Sequence, residues 1–478
     1  MIAAPKSGSG KTGVTCALLK NLKNKGIKTV SFKCGPDYID PLFHKNVLGI
    51  PSYNLDTFFT DPDTTRALFA KNARGFDYAV FEGVMGLFDG VGGVREEGSS
   101  YHLAKVTGTP VVLVIDAKGM GRSIVPEILG FLSYDTAKLI KGVILNRVSE
   151  SFYKVLKDVI ESECNVKVCG FIPDMKDKAF SRRHLGLVTP SDTEGLDEIL
   201  DGLADNFAKF VSFDDIDSIA LEAEDLKELS DEAYKEGLSG IIHSEGNLNS
   251  DGEQNEVFSD DSPVIAVSQD DAFCFIYEDN LNELKKAGAK IVFFSPLKDK
   301  AVPGEADGLL LTGGYPELHL EELCANASML ESVKKAFDKG MPVVAECGGF
   351  MYLNETVEDR DGRVYKTVGA LKGRVSYKGK SVRFGYVELS EKKPNFLGKD
   401  EIIKGHEFHY FDCDDNGKDV IVRKPSSQKE YEAVKDSDNI WVGFPHLYYP
   451  SNPAFAVDFV RKCTEYKMKK RVNAYEKR

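Results

Sequence analysis

The sequence predicts an α/β protein made of two bodies, each a largely parallel sheet covered by helices. Three observations carry that expectation. Short runs that are apolar on both faces alternate with helical stretches up to about residue 205. The alternation resumes at Pro263. Between the two lies a polar, acidic stretch that reads as a connector. At 478 residues the chain has room for two or three domains.

In the first body the candidate strands are Thr29–Phe32, Tyr78–Phe81, Val111–Ile115, Gly142–Leu145 and Val166–Gly170, after a short N-terminal strand. Gly10 to Lys25 reads as a helix stopped by Gly26. Residues 212–262 hold 16 Asp and Glu against 2 Lys and Arg, so the whole net charge of −14 falls on this segment. Residues 219–234 have some helical periodicity. Residues 243–262 are rich in Gly, Ser, Asn and Asp and cannot bury enough apolar area to offset their ordering entropy. In the second body Val264–Val267, Lys290–Phe294, Gly308–Leu311 and Pro342–Ala345 read as strands, with a helix near Asn280–Ala287. After about residue 368 the pattern turns antiparallel. The expected division is 1–205, an acidic connector 206–262, a second domain 263–465 and a basic tail 466–478, read as a solvated helix end.

Composition narrows the class. No apolar run approaches the roughly 18 residues needed to span a bilayer, and the N-terminus lacks the charged start and apolar core of a signal peptide. Nine scattered cysteines do not form a disulfide framework. A reducing, cytoplasmic setting is expected, with no membrane or nucleic-acid partner.

Two segments carry chemistry. Lys6-Ser-Gly-Ser-Gly-Lys-Thr12 lies between the first strand and the first helix. Its glycines, Gly8 and Gly10, let backbone N–H groups wrap a phosphate, and the helix N-terminus favours negative charge. Lys11 would reach the β- and γ-phosphates of ATP, and the Thr12 hydroxyl would hold Mg²⁺. Pro5 stands where the strict pattern has its first glycine, so the loop reads as a deviant P-loop with Lys6 as an extra lysine and Ser7 replacing a glycine. Further polar residues fall at strand ends, where open α/β sheets bind ligands. Asp37 and Glu82 are placed to hold the metal. Lys33, Asp40 and Asp89 are assigned to the substrate. Asn146 is either a purine-reading amide or a turn asparagine.

The second segment runs from Met341 through Ala345-Glu-Cys-Gly-Gly349 to Phe350: a buried strand, a cysteine, two glycines and a helix. That order presents Cys347 on a sharp turn, the logic of a nucleophile elbow, and a helix N-terminus there is expected to lower the thiol pKa. Backbone N–H groups of Gly314 and Gly348 would face an oxyanion. Four histidines, His319, His406, His409 and His446, are candidate bases, and spacing does not choose among them.

The chain resembles the cobyrinic acid a,c-diamide synthase family. The resemblance rests on Gly35-Pro-Asp-Tyr-Ile-Asp-Pro41, Asn54-Leu-Asp56, Glu82-Gly-Val-Met-Gly-Leu-Phe-Asp-Gly90, Arg183-His-Leu-Gly-Leu187, Phe294-Ser-Pro296, Gly313-Gly-Tyr-Pro-Glu317, Ala345-Glu-Cys-Gly-Gly349 and Gly405-His-Glu-Phe-His409. These run in order across nearly the whole chain. The resemblance implies a dethiobiotin-synthetase-like P-loop domain acting as an ATP-dependent amide ligase, joined to a class I glutamine amidotransferase-like domain. It implies two amidations of a tetrapyrrole polycarboxylate, on the a and c acetates, through acyl phosphates, with glutamine as nitrogen donor and Mg²⁺ with the ATP. Cys347 would be the glutaminase nucleophile and His446 its base, with Arg183 and His184 joining the substrate residues. Related triad enzymes carry a Glu two residues after this histidine, but position 448 is Tyr, so the group that orients His446 is left unassigned. The central metal of the macrocycle, with hydrogenobyrinic acid or nickel sirohydrochlorin as other substrates, is left open, as is a homodimer. A partitioning-type ATPase switch shares the loop but leaves Cys347 without a role.

Overall fold

The computed structural model describes residues 1–174, 196–225 and 261–475. The chain divides into two compact units, 1–245 and 246–478.

The first unit is built on a seven-stranded sheet. Its strands are β1 (Ile2–Ala3), β2 (Thr29–Cys34), β3 (Ser52–Leu55), β4 (Tyr78–Glu82), β5 (Val111–Asp116), β6 (Ile140–Asn146) and β7 (Lys167–Ile172), all parallel, in the order β3-β2-β4-β1-β5-β6-β7. The two-residue β1 lies between β4 and β5, so a strand that the sequence barely shows sits at the centre of the sheet. Beside it the chain order reverses, and ligands of open sheets bind at the carboxyl ends of strands flanking such a point. Helix α1 (Lys11–Asn24) follows β1 and buries Val14, Leu18, Leu19 and Leu22 against the sheet. Helix α2 (Ile39–Asn46) follows β2.

The acidic segment begins inside this unit rather than beyond it. The helix Phe213–Ala220 places Ile216 and Ile219 in the same core as Phe207 and Val211. Their i, i+3 spacing forms one apolar stripe, while Asp214, Asp215 and Asp217 occupy the rest of the helix. The remainder of the connector, 226–260, lies outside the described residues, as do Arg183 and His184.

The second unit contains a six-stranded sheet whose core strands are β8 (Val264–Ser268), β9 (Lys290–Phe294), β10 (Gly308–Leu311) and β11 (Val343–Glu346). The strand Ile440–Gly443 pairs parallel with β11, and Lys435–Ser437 closes that edge antiparallel. A five-stranded antiparallel sheet follows, in which Ile403–His409 pairs with the short strand His446–Leu447. The turn after residue 368 to antiparallel structure thus appears as expected. The residues read as a basic tail continue a 22-residue helix, Ala454–Tyr475. Lys470 reaches Asp307 at 3.2 Å and Arg471 reaches Asp261 at 2.6 Å, which fixes the helix end to its own unit.

Candidate active sites

In the first unit the loop Lys6–Gly10 joins β1 to α1. Gly10 has φ 100°, and a Cβ there would collide with the Asn146 amide, so only glycine lets the loop pass over β6. Asn146 Nδ2 donates to the Ser9 carbonyl at 2.8 Å. Its amide therefore props the loop, and no nucleotide edge is needed to explain its position. Lys11 Nζ donates to the Met85 carbonyl and, at 3.5 Å, to that of Lys6. Burial, reinforced by Lys33, pushes Lys11 down to about 8. Lys6 itself is exposed.

Thr12 Oγ1 donates to Glu82 Oε1 at 2.6 Å. Glu82 ends β4 and is fully buried, which alone would favour its neutral form. Lys33 Nζ at 3.1 Å, His44 Nε2 at 3.4 Å and Thr12 outweigh that and hold the carboxyl well below the usual range. Lys33 also bonds Asp40. Asp37 Oδ1 instead accepts the Ile39 N–H at 2.9 Å in a turn leading into α2, although its charge reaches Lys33. Asp89 accepts the Gly86 N–H at 2.8 Å and acts on Lys11 electrostatically. The structure thus gathers Thr12, Lys33 and Asp40 around the Glu82 carboxylate. It adds His44, which the sequence did not single out: a histidine inside a short helix carries no pattern of its own.

Oxygen donors suit Mg²⁺, and a P-loop ion takes much of its shell from phosphate and water. Thr12 and Glu82 supply two such donors side by side. Among the described residues no cluster of three or more His, Cys, Asp or Glu is arranged to hold a metal alone.

In the second unit Cys347 leaves β11 with φ 46°, a left-handed conformation that non-glycine residues rarely adopt. Its N–H is held by Gly443 O at 2.8 Å and its carbonyl starts the helix Gly348–Leu353. This is the elbow the sequence predicts. The expected fall in thiol pKa is not present: burial, then Glu317 and Glu346, push Cys347 up against the lowering effect of the Gly348 N–H. A Cβ on Gly348 would stand 3.2 Å from the Gly314 nitrogen, so the two amides assigned to an oxyanion lie close together.

His446 lies three residues beyond the strand that flanks β11. A Cβ on Gly313 would strike its ring, which places the histidine beside the Gly313-Gly314 turn. The ring stacks on His406 at 5.0 Å and 16°. Burial, then His406 and His409, push His446 down, so it is a neutral imidazole able to accept a proton. The other candidates have different partners. His406 bonds the Tyr277 hydroxyl at 3.2 Å, His409 the Phe411 carbonyl at 2.6 Å, and His319 pairs with Glu322 at 3.2 Å. Sequence reasoning passed over Glu346, buried beside the nucleophile, and Glu317, whose carboxyl burial pushes up to about 7.

Comparison with known proteins agrees with this division. Residues 1–185 match the CobQ/CobB/MinD/ParA nucleotide binding domain, and residues 264–453 the CobB/CobQ-like glutamine amidotransferase domain. The chain is 36% identical over 470 residues to a cobyrinate a,c-diamide synthase of Caldanaerobacter subterraneus subsp. tengcongensis, covering 98% of each. It is 36% identical to the protein so named from Thermoplasma volcanium, covering 99% of each, and 34% identical to that of Salmonella typhimurium, covering 95% of each. Similarity of this extent, over both domains and through both sites, shows that the chain belongs to the cobyrinate a,c-diamide synthase family.

Proposed function

We propose that the protein amidates the a and c acetate side chains of cobyrinic acid, using ATP and glutamine. The observation that carries this reading is the pairing, on one chain, of a phosphate cradle with a Thr12–Glu82 contact and of a cysteine elbow with a neutral histidine, both bordering the Gly313-Gly314 turn.

A carboxylate is a poor electrophile because it would have to expel oxide or hydroxide. Attack of its oxygen on the γ-phosphorus of ATP breaks the bond to ADP and gives an acyl phosphate. Ammonia then adds to the acyl carbon and phosphate leaves. Gly8, Gly10 and Lys6 line the cradle, Lys11 turns from the loop carbonyls to the phosphates, and Asn146 holds the loop in place. Thr12 and Glu82, with Asp37 as the further acid assigned to it, would hold Mg²⁺ with the nucleotide, where it would supply charge neutralisation to the phosphates. Lys33, Asp40 and Asp89, with Arg183 and His184, orient the carboxylate substrate.

At the second site Cys347 Sγ attacks the glutamine Cδ while His446 takes the thiol proton. His446 then gives that proton to the departing nitrogen, releasing ammonia and leaving a thioester, which water hydrolyses to glutamate. The Gly314 and Gly348 N–H groups stabilise the oxyanion. Nine free thiols fit a reducing cytoplasm, and no helix among the described residues is long and apolar enough to cross a membrane.

The acyl phosphate has a direct test. With ¹⁸O in the substrate carboxylates, each amidation should deliver one ¹⁸O to inorganic phosphate; phosphate free of label would overturn this step. Two further results are expected. The lysine pushed down to about 8 loses its charge as pH rises through that value, and phosphate binds its charged form. ATP affinity should therefore weaken between pH 7 and 9, by about tenfold at pH 9, and Lys11→Arg should flatten the profile; calorimetric titration at the two pH values checks this. Gly313→Ala should displace the His446 ring and lower glutamine-dependent turnover about 100-fold, with ammonia-dependent turnover unchanged in steady-state assays.

A further inference from the structure

Glu346 and Cys347 are neighbours in sequence, and the elbow brings both to the carboxyl edge of β11. Glu346 stands in register with Gly443, and the chain running on from Gly443 carries His446 back toward it. Glu346 Oε2 lies 3.9 Å from His446 Nδ1, and its Oε1 accepts the Leu447 N–H at 3.3 Å. The carboxyl is buried, and no Lys or Arg is paired with it among the described residues. Burial pushes the carboxyl up to about 8, and a cation forming beside it draws it back toward the charged form.

The other groups around the histidine do not fill this role. Tyr448, two residues beyond His446, sends its hydroxyl to Asp279 at 3.3 Å. His406 stacks on the ring face, and its charge, like that of His409, opposes an imidazolium. Glu407 favours one, but it is already answered by Arg383 at 3.5 Å, Lys424 at 3.6 Å and the Tyr431 hydroxyl.

We propose that Glu346 is the positioning residue of the glutaminase site, fixing the His446 ring through Nδ1 and stabilising the imidazolium formed when the Cys347 proton arrives at Nε2. It replaces the carboxylate that related triads carry two residues after the histidine. Glu346 acts in its ionised form, which the imidazolium beside it favours, and the proton passes from Sγ to Nε2 and on to the leaving nitrogen. The 3.9 Å separation shortens as the imidazolium forms, since catalytic hydrogen bonds commonly tighten on reaction. The inference rests on the reading of Cys347 and His446 given above.

The test uses the full chain. Glu346→Gln keeps an oxygen for the Leu447 N–H and removes the charge. Glutamine hydrolysis should fall about 100-fold in kcat, with KM for glutamine within about threefold and ammonia-dependent synthesis unchanged. Glu346→Asp should recover part of the loss. The acid limb of the glutaminase pH profile, set by protonation of His446, should move to lower pH in Glu346→Gln, because the imidazolium loses its counter-charge. A kcat within threefold of the parent, or an equal loss of ammonia-dependent synthesis, would overturn the proposal. Cys347→Ala run in parallel separates the layers. If it retains glutaminase activity, the reading of the site fails; if it abolishes that activity while Glu346→Gln does not, only the role of Glu346 fails.

Discussion

Cys347→Ala should abolish glutamine-dependent amidation, by about 10⁴-fold or more, while ammonia-dependent amidation continues at the parent rate. The size follows from the chemistry: without Sγ no thioester forms, and neither His446 nor the Gly314 and Gly348 amides can supply a nucleophile. The selectivity follows from the chain's division, since Cys347 lies in the unit 246–478 and the phosphate cradle in the unit 1–245. The change is also mild for the fold. Cys347 is 7% exposed and has left-handed backbone geometry already held by the Gly443 carbonyl, so alanine loses one buried sulfur and little packing. Assays with glutamine and with ammonium chloride, side by side, give the comparison. Loss of both activities would contradict two separate sites.

Lys11→Ala should stop synthesis with either nitrogen source, by about 10³-fold or more. Lys11 is the buried cation of the cradle, and its amine is held by the backbone carbonyls of Lys6 and Met85. Those contacts are weak holds that a phosphate, with its full charges, displaces. Without the amine only the exposed Lys6 is left in the loop to answer the charge that moves between ATP and the carboxylate. Glutaminase turnover measured alone should survive in this variant, the reverse of Cys347→Ala. Full activity in Lys11→Ala would remove Lys11 from the nucleotide site.

Much of this was legible before any coordinates, and the reasons differ by element. Val111–Ile115 and Val343–Ala345 are continuous apolar runs, so buried parallel strands announce themselves. Ser52–Leu55 did not, because four residues with a polar asparagine carry no period. Ile216 and Ile219 were hidden in an acidic stretch whose charge drew attention from its single apolar stripe. The cradle and the elbow are local geometries, written in consecutive residues, and both are visible as motifs. What holds them is not local. Glu82 meeting Lys33 and His44, and Glu346 meeting His446, depend on strand order and on a turn that redirects the chain. The pKa of Cys347 went the other way from expectation for the same reason: the helix dipole can be read from sequence, but the depth of burial and the two glutamates around the thiol cannot.

The central claim is that one chain converts two acetate carboxylates of a tetrapyrrole to amides. The direct measurement is mass spectrometry of the products after incubation with ATP, Mg²⁺, glutamine and a panel of tetrapyrrole polycarboxylates, cobyrinic acid among them. Each carboxyl-to-amide exchange lowers the mass by about one unit. Two such losses on cobyrinic acid, located at the a and c acetates by fragmentation, are predicted. ATP hydrolysis with every polycarboxylate returned at its original mass would contradict the account.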